Sequence, residues 1–212
     1  MSRILVSQRL VNHESYGEVR ACLDEAWGPF FSEAGAHPVP LLTTMDAREM
    51  WDVMRPAALV LTGGNDLARF SSDPLSRMRD ELETLHLQEA IEREVPVLGI
   101  CRGAQFIADY FKSELTPIAN HVATRHRITL SAETDFGSLG TQERTVNSFH
   151  AYGVMGLGPD LQEIARADDG SIEAFEHKRY PMVGIMWHPE REPPSGRVFE
   201  RDVLAKMIKQ RS

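Results

Sequence analysis

A run of apolar residues at 96–100 stops at Cys101, and a helical pattern begins at the next residue. Glycines stand two residues before and two residues after the cysteine, at Gly99 and Gly103. A strand that turns into a helix across one residue is typical of a nucleophile elbow, a strained turn that presents one side chain. The segment therefore predicts a sheet strand, a tight turn and a helix packed back on that sheet.

The rest of the first half of the chain repeats this strand–helix alternation. Apolar runs at residues 4–7, 57–61 and 96–100 alternate with helical patterns at 47–54, 73–94 and 102–111. The alternation predicts an α/β fold, doubly wound, with a mostly parallel central sheet and helices on both faces. Shorter strand patterns after Leu115 predict a smaller antiparallel sheet, and residues 1–212 are expected to form a single catalytic domain.

Residues 14–34 carry apolar side chains at spacings near three and four, which predicts a helix. Cys22 lies inside this pattern, and we expect its thiol to be packed in the core. With only two cysteines in such different settings, both are interpreted as free thiols.

The formal net charge of −8 argues against nucleic acid as a partner, since that needs a basic face. No apolar stretch approaches the roughly 18 residues of a membrane span, and the first residues lack the layout of a secretory signal. These features predict a protein of the reducing cytoplasm with no membrane partner. A homodimer is the default expectation for its oligomeric state.

Two segments indicate nucleophilic catalysis, and each has a plain alternative. A thiol at a helix N-terminus is stabilised as thiolate, but Cys101 could equally be a buried structural cysteine. If the apolar run before His188 is a strand, His188 and Glu190 point the same way, and the glutamate can orient the imidazole. The alternative for this pair is a surface histidine beside a solvated glutamate.

Four motifs together resemble the class I glutamine amidotransferase family, in its γ-glutamyl hydrolase branch (peptidase C26-like), whose fold is flavodoxin-like. They cover most of the chain in the order of the family. The motifs are Leu61-Thr62-Gly63-Gly64-Asn65-Asp66, Gly99-Ile100-Cys101-Arg102-Gly103-Ala104-Gln105, Asn147-Ser148-Phe149-His150 and Trp187-His188-Pro189-Glu190.

The resemblance implies a cysteine hydrolase that opens a γ-glutamyl amide through a thioester. Cys101 would be the nucleophile, His188 the acid and base, and Glu190 its orienter. The backbone N–H groups of Gly64 and Arg102 would form the oxyanion hole. The residues expected to contact the substrate are Gly63, Asn65, Gln105, Asn147, Ser148, Phe149 and His150. No metal or cofactor is expected, because His121, His126, His150 and His177 lack the close spacing of metal ligands.

Within the family the resemblance is greatest to the γ-glutamyl-CDP-amidate hydrolases of capsular phosphoramidate biosynthesis. It rests on segments that include Ser7-Gln8-Arg9-Leu10, Glu18-Val19-Arg20 and Gly64-Asn65-Asp66-Leu67. The implied partner is a small γ-glutamyl conjugate of a nucleotide, and Arg9 and Arg20 are the candidates to contact its diphosphate. The cations Arg125, His126 and Arg127 are further candidates, although each alone could be an ordinary surface charge.

Three other functions stay open from the sequence. A hydrolase of γ-glutamyl-GABA or another γ-glutamyl amine would use the same triad with fewer cations in its pocket. A glutaminase subunit of a two-protein amidotransferase would show an apolar docking surface. A non-enzymatic binding module on the same fold is disfavoured by the intact set of Cys101, His188 and Glu190.

Overall fold

A mixed sheet organises the chain, which the computed structural model describes at residues 2–130, 133–134, 137–138 and 142–210. Its parallel part has the order β4-β1-β5-β6-β15. These strands are β1 (Ser2–Val6), β4 (Ala36–Pro40), β5 (Ala58–Leu61), β6 (Val97–Ile100) and β15 (Met182–Ile185). The alternating apolar runs of the sequence thus form neighbouring parallel strands.

Antiparallel strands extend the same sheet beyond β15. The order continues through β14 (Ile172–His177), β13 (Leu161–Ala167), β8 (Val122–Leu130) and β11 (Gln142–Phe149). A side branch pairs β12 (Tyr152–Gly156) with β14 and with β7 (Glu114–Pro117). Two small antiparallel hairpins stand apart, β2 (Arg9–His13) with β3 (Glu18–Cys22), and β9 (Glu133–Thr134) with β10 (Gly137–Ser138). The predicted fold class is confirmed, with most of the antiparallel strands continuing the main sheet.

Helices cover both faces of the parallel strands because successive side chains point to opposite sides. Ile4 and Val6 join one core, which contains α1 (Trp27–Glu33) and α5 (Val198–Lys209). Leu5 joins the other, which contains α2 (Ala47–Met54), α3 (Pro74–Glu92) and α4 (Arg102–Tyr110). None of the helices in the described part of the chain is long and apolar enough to cross a membrane.

The predicted helix at residues 14–34 is wrong over most of its length. The segment forms β3 after a short 3₁₀ turn, Glu14–Tyr16, and only α1 is helical. Gly17 adopts a left-handed φ of 62° at the turn, and Val19 is 50% exposed rather than packed. Cys22 is also exposed, so the expectation of a core thiol is wrong. The hairpin is held from outside: the Asn65 side chain accepts from Leu10 N and donates to Leu10 O, both at 3.0 Å.

A buried histidine on α3 predicts acid sensitivity. Trp51 Nε1 donates to His86 Nδ1 at 2.8 Å, and burial lowers the pKa of His86 to about 4. Protonation of Nδ1 would replace this hydrogen bond by two N–H groups that face each other, and it would place a charge on a buried ring whose Nε2–H already lacks an acceptor in the described part of the chain. Since the folded-state pKa lies below the usual 6.5, this stability is present above pH 6.5 and is lost as the pH falls toward 4.

We expect the free energy of unfolding to fall by up to about 3 kcal/mol across this window. In His86→Gln the glutamine offers Trp51 an amide oxygen and does not titrate. The free energy of unfolding of this variant should therefore fall less over the same pH window, by up to about 3 kcal/mol. Urea unfolding followed by tryptophan fluorescence measures both chains. Equal pH dependence of the two would contradict the role of His86.

Candidate active site

Cys101 occupies a strained turn between β6 and α4. Its backbone has φ 53° and ψ −108°, a conformation that side chains other than glycine rarely adopt. A side chain on Gly103 would overlap the carbonyl of Leu61, and one on Gly99 would meet Ile107 and the Gly103 backbone. The two glycines therefore allow the strand and helix to approach closely around the thiol. The structure has the elbow geometry that the sequence predicts.

His188 and Glu190 meet, although not on a strand as the sequence argument assumed. Strand β15 ends at Ile185, and Pro189 starts a 3₁₀ turn, Pro189–Arg191. Glu190 Oε1 lies 2.6 Å from His188 Nδ1, and both side chains are buried. The ring lines the same cavity as Cys101, and the charge of Cys101 raises the pKa of the imidazole. A thiol, an imidazole and a carboxylate in this chain of contacts can carry out nucleophilic acyl transfer.

The charge state of this group follows from its contacts. Burial by itself lowers the pKa of His188, but the charge and hydrogen bond of Cys101 and those of Glu190 outweigh it and raise the pKa to about 10. The imidazole is therefore protonated at neutral pH beside the Cys101 sulfur. A protonated imidazole in this position can stabilise a thiolate and can supply the proton for a leaving group.

A glycine turn after β5 lies directly against the imidazole and the thiol. A side chain on Gly63 would come within 2.8 Å of His188 Cε1 and 3.6 Å of Cys101 Cβ. Gly64 has φ +86°, which glycine adopts without strain. The predicted oxyanion donor Gly64 lines the same cavity as Cys101 and Arg102. The placement of these three residues agrees with an oxyanion hole.

Arg79 on α3 holds the glycine turn in place, and the sequence reasoning missed it. Its buried guanidinium donates to the carbonyls of Thr62 at 2.6 Å and Gly63 at 2.9 Å, and also to that of Gly64. Glu83, one helical turn later, pairs with Arg79 Nε at 2.9 Å. The sequence does contain a signal for Arg79. It lies on the same face of α3 as positions 76, 83 and 90, and that face is buried.

Arg102 contributes through two separate parts. Its backbone lies at the N-terminus of α4, beside Cys101, as an oxyanion donor requires. Its buried side chain points away and pairs with Glu83 and Asp80 on α3. The same glutamate thus connects Arg79 under the glycine turn with Arg102 beside the nucleophile.

Two residues predicted to contact the substrate instead support the protein. Asn147 accepts from His188 N at 2.9 Å and donates to His188 O at 2.8 Å, so it fixes the backbone of the histidine. Ser148 is fully buried, and its hydroxyl donates to His121 O at 2.7 Å. Both side chains are occupied by the protein, so substrate contact through these two side chains is not favoured by the structure, and contact by the segment stays a prediction.

The other predicted contacts divide between two cavities that meet at His188. The larger, about 450 Å³, contains Cys101 and is also lined by Asn65, Gln105, Phe149 and His150. The smaller, about 270 Å³, is lined by Gly63, Glu190 and the exposed Cys22. Arg9, Gly64, His188 and Arg191 line both cavities. A substrate lying across His188 could therefore contact the thiol and both arginines.

Of the two arginines predicted to bind phosphate, only Arg9 is in this region. Among the residues that the structure describes, Arg9 makes no ion pair, so its charge is available. Arg20 lies on the exposed side of the β2–β3 hairpin, pairs with Glu18 at 2.8 Å and lines neither cavity. Arg127 pairs with Asp168 and Glu143, and Arg125 with Glu192. Arg191, which the sequence reasoning did not select, also lines both cavities, and it forms ion pairs with Asp24 at 3.5 Å and Glu190 at 3.7 Å.

The comparison with protein families gives one match, to the model of peptidase C26, over residues 4–190. A γ-glutamyl-CDP-amidate hydrolase of Campylobacter jejuni is 40% identical over 190 residues, which are 88% of this chain and 89% of that protein. A putative glutamine amidotransferase-like protein of Lactococcus lactis is 32% identical over 158 residues, 62% of this chain and 65% of that protein.

Solved structures of the same fold extend over almost the whole chain. One subunit of a putative GMP synthase from Thermoplasma acidophilum matches with a TM-score of 0.73 and 22% identity, over 99% of this chain and 95% of that one. A glutamine amidotransferase from Thermotoga maritima matches with a TM-score of 0.72 and 15% identity, over 98% of each chain. At these identities the likeness concerns the fold alone.

Proposed function

The chain belongs to the peptidase C26 family, and we propose that it hydrolyses the γ-glutamyl bond of γ-glutamyl-CDP-amidate through a thioester on Cys101. Family membership and the extensive likeness to a named hydrolase make it a γ-glutamyl amide hydrolase. The role of Cys101, the use of a nucleotide substrate and the roles of the surrounding residues are the proposal. The observation that carries it is that His188 interacts both with Glu190, 2.6 Å from its Nδ1, and with Cys101, whose charge raises the pKa of the ring.

In the first half-reaction the Cys101 thiolate attacks the γ-carbonyl carbon of the glutamyl group. The carbonyl oxygen becomes an oxyanion beside the backbone N–H groups of Gly64 and Arg102. Protonated His188 gives its proton to the departing nitrogen, and the carbon–nitrogen bond breaks. A γ-glutamyl thioester and the free amidate remain.

In the second half-reaction a water molecule takes the place of the amidate that has left. His188, now neutral, takes a proton from water as the oxygen attacks the thioester carbon. The carbon–sulfur bond breaks, glutamate leaves, and the thiolate–imidazolium pair is restored. Glu190 stabilises the charged imidazole in both halves through the contact with Nδ1.

The arginines around His188 support an anionic leaving group. Arg9 and Arg191 line both cavities, so a group leaving from the γ-carbonyl passes between two guanidinium groups. Guanidinium groups bind phosphate oxygens through paired hydrogen bonds. The γ-glutamyl-GABA substrate has no phosphate oxygens to bind these guanidinium groups. The two arginines therefore favour the nucleotide conjugate over γ-glutamyl-GABA as the substrate.

A substrate panel tests the proposal. Purified protein is incubated with γ-glutamyl-CDP-amidate, γ-glutamyl-GABA, a γ-glutamyl polyamine and glutamine, and glutamate release is followed. We expect the highest kcat/KM with the nucleotide conjugate. A preference for an aliphatic amide would keep the chemistry and overturn the substrate, and release from none would favour a glutaminase that needs a synthetase partner.

Arg9 should determine how well the nucleotide conjugate binds. A hydrogen bond to a charged group contributes about 1.5–3 kcal/mol, so Arg9→Gln should raise KM for this substrate by about 10- to 100-fold. The loss should be at least tenfold smaller with γ-glutamyl-GABA, which has no phosphate. Arg3→Gln removes the same charge from the exposed side of β1 and serves as the control. An equal loss with both substrates would contradict phosphate binding by Arg9.

A further inference from the structure

A buried cluster of three histidines and a glutamate lies behind the cavity that contains Cys101. His121 precedes β8, His126 lies on β8, His150 follows β11 and Glu173 lies on β14. His121 and His150 are each 3% exposed and Glu173 is fully buried. His150 lies at the boundary, because it also lines the cavity of the nucleophile. The proposed reaction uses none of the cluster's ring nitrogens or carboxylate oxygens.

The polar atoms that face one another in this cluster have no hydrogen-bond partners in the described part of the chain. These atoms are His121 Nδ1, His150 Nε2, both nitrogens of His126 and both carboxylate oxygens of Glu173. A buried carboxylate with both oxygens unpaired is strongly unfavourable unless a cation compensates it. In the described part of the chain, the positive charges placed against Glu173 are those of the three histidines, and they exist only when the rings are protonated. A metal ion bound to neutral rings would supply that charge instead.

Two of the distances between these atoms match those of ligands around one metal ion. Glu173 Oε1 lies 3.5 Å from His121 Nδ1 and 3.5 Å from His150 Nε2. Charge-assisted hydrogen bonds are shorter, at about 2.7–2.9 Å. With zinc–ligand bonds of about 2.0–2.1 Å, two ligands of a tetrahedral ion are about 3.4 Å apart. All three ligand atoms lie within 4.8 Å of one another.

The opposite nitrogens of both rings are fixed by acceptors. His121 Nε2 lies 2.8 Å from Asp169 Oδ2, and His150 Nδ1 lies 3.0 Å from the carbonyl of Tyr152. Asp169 is itself held by the Ser171 backbone and hydroxyl. If these outer nitrogens carry the protons, the inner nitrogens present lone pairs toward Glu173. Histidines that bind metals are oriented by outer acceptors in the same way.

From this geometry we infer that His121, His150 and Glu173 bind a divalent ion of the zinc class. His126 is the nearest further donor, with Nε2 3.4 Å from Glu173 Oε2. The two carboxylates of Glu173 and Asp169 balance the charge of the ion. The three ligands are buried, as in structural zinc sites, so the ion would tie together β8, β11 and β14. It would also fix His150 beside the nucleophile.

The sequence predicted no metal, because the histidines are far apart along the chain. Pairing of β8 with β11 and of β13 with both β8 and β14 brings three of them together, which spacing along the chain does not reveal. His177, the fourth histidine considered, lies elsewhere and accepts from the backbone of Arg179 and Tyr180.

Zinc titration of the chelator-treated chain tests the site, with Cys101→Ala as the background so that the catalytic thiol cannot bind the ion. We expect one equivalent to bind in competition with a chromophoric chelator. His121→Gln and Glu173→Gln should each weaken binding by 100-fold or more, and Asp169→Asn by about 10- to 100-fold. His37→Gln, on exposed β4, should bind as the background does. Unchanged affinity in the His121 and Glu173 variants would overturn the inference.

A second measurement uses the unsubstituted chain, so it does not depend on whether the variants fold. Cobalt(II) should give the visible absorption of a tetrahedral site with nitrogen and oxygen ligands and no sulfur charge-transfer band, and zinc should raise the melting temperature. Absence of stoichiometric binding would show that the histidines and Glu173 are balanced by protons, and a sulfur band would place the ion at a cysteine. Either result overturns the site and leaves the proposed hydrolase reaction untouched.

Discussion

Cys101→Ala is expected to lower kcat for glutamate release by about 10⁴-fold or more, because the reaction loses its nucleophile. The thiol sits on a strained turn in the cavity that His188 also lines, and its charge raises the pKa of that ring. The variant should fold normally and bind substrate, since the change removes one atom from the cavity surface. Glutamate release with a panel substrate measures the loss.

Cys22→Ala provides the matched control. Cys22 is the other cysteine of the chain, and it is exposed on β3. Cys22 lines the smaller cavity but is not part of the Cys101, His188 and Glu190 group, so its removal should change kcat by less than about twofold. Similar losses in the two variants would show that the effect of Cys101→Ala is not due to loss of a specific nucleophile.

Glu190→Gln is expected to lower kcat by about 10³- to 10⁴-fold, as removal of the orienting carboxylate does in other triads. The glutamine amide cannot stabilise the charged imidazole, and it can present an N–H to Nδ1 in place of an acceptor. Glu190 also helps to raise the pKa of His188. The alkaline limb of the pH–rate profile should therefore move to lower pH in the variant, a shift that loss of folding alone would not produce.

Glu192→Gln tests whether this effect belongs to the contact with the imidazole. Glu192 lies two residues later and accepts from Asn147 Nδ2 at 2.7 Å, without touching the ring. The loss in kcat of Glu192→Gln should be at least tenfold smaller than that of Glu190→Gln. The alkaline limb of its pH–rate profile should stay at the pH of the unsubstituted chain. A profile of Glu190→Gln that matches that of the unsubstituted chain would contradict the orienting role.

The elbow was predictable because everything it needs lies within ten residues. The apolar strand, the two glycines and the helix around Cys101 are all local in the sequence. Helix α3 is a similar case. Asp73 accepts from Leu75 N at 2.9 Å and Pro74 follows it. Two adjacent residues therefore determine where the helix starts.

The β2–β3 hairpin was not predictable from local pattern. Its strands are mostly exposed, so they lack the alternation that identifies a strand, and apolar spacing in residues 14–34 favoured a helix. The contact that holds it is made by Asn65, 55 residues from Leu10. Because Asn65 is so far away in the sequence, the residues of the hairpin themselves carry no pattern that reveals this contact.

Which residues touch a substrate was the least predictable part of the site. The motif that contains Asn147 and Ser148 was placed correctly beside the site, yet both side chains bind the protein itself. Position on a strand does not tell whether an amide faces a cavity or the backbone of His188. Arg191 shows the converse, because a turn that follows the motif brings it to the cavity edge.

The most direct test of the reaction is capture of the acyl-enzyme during turnover. The protein is mixed with γ-glutamyl-CDP-amidate, quenched with acid and examined by intact-mass and peptide mass spectrometry. We expect a gain of one glutamyl group on the peptide that contains Cys101, lost on treatment with hydroxylamine and absent in Cys101→Ala. Glutamate release that continues in Cys101→Ala, or a glutamyl group carried by Cys22, would contradict the account.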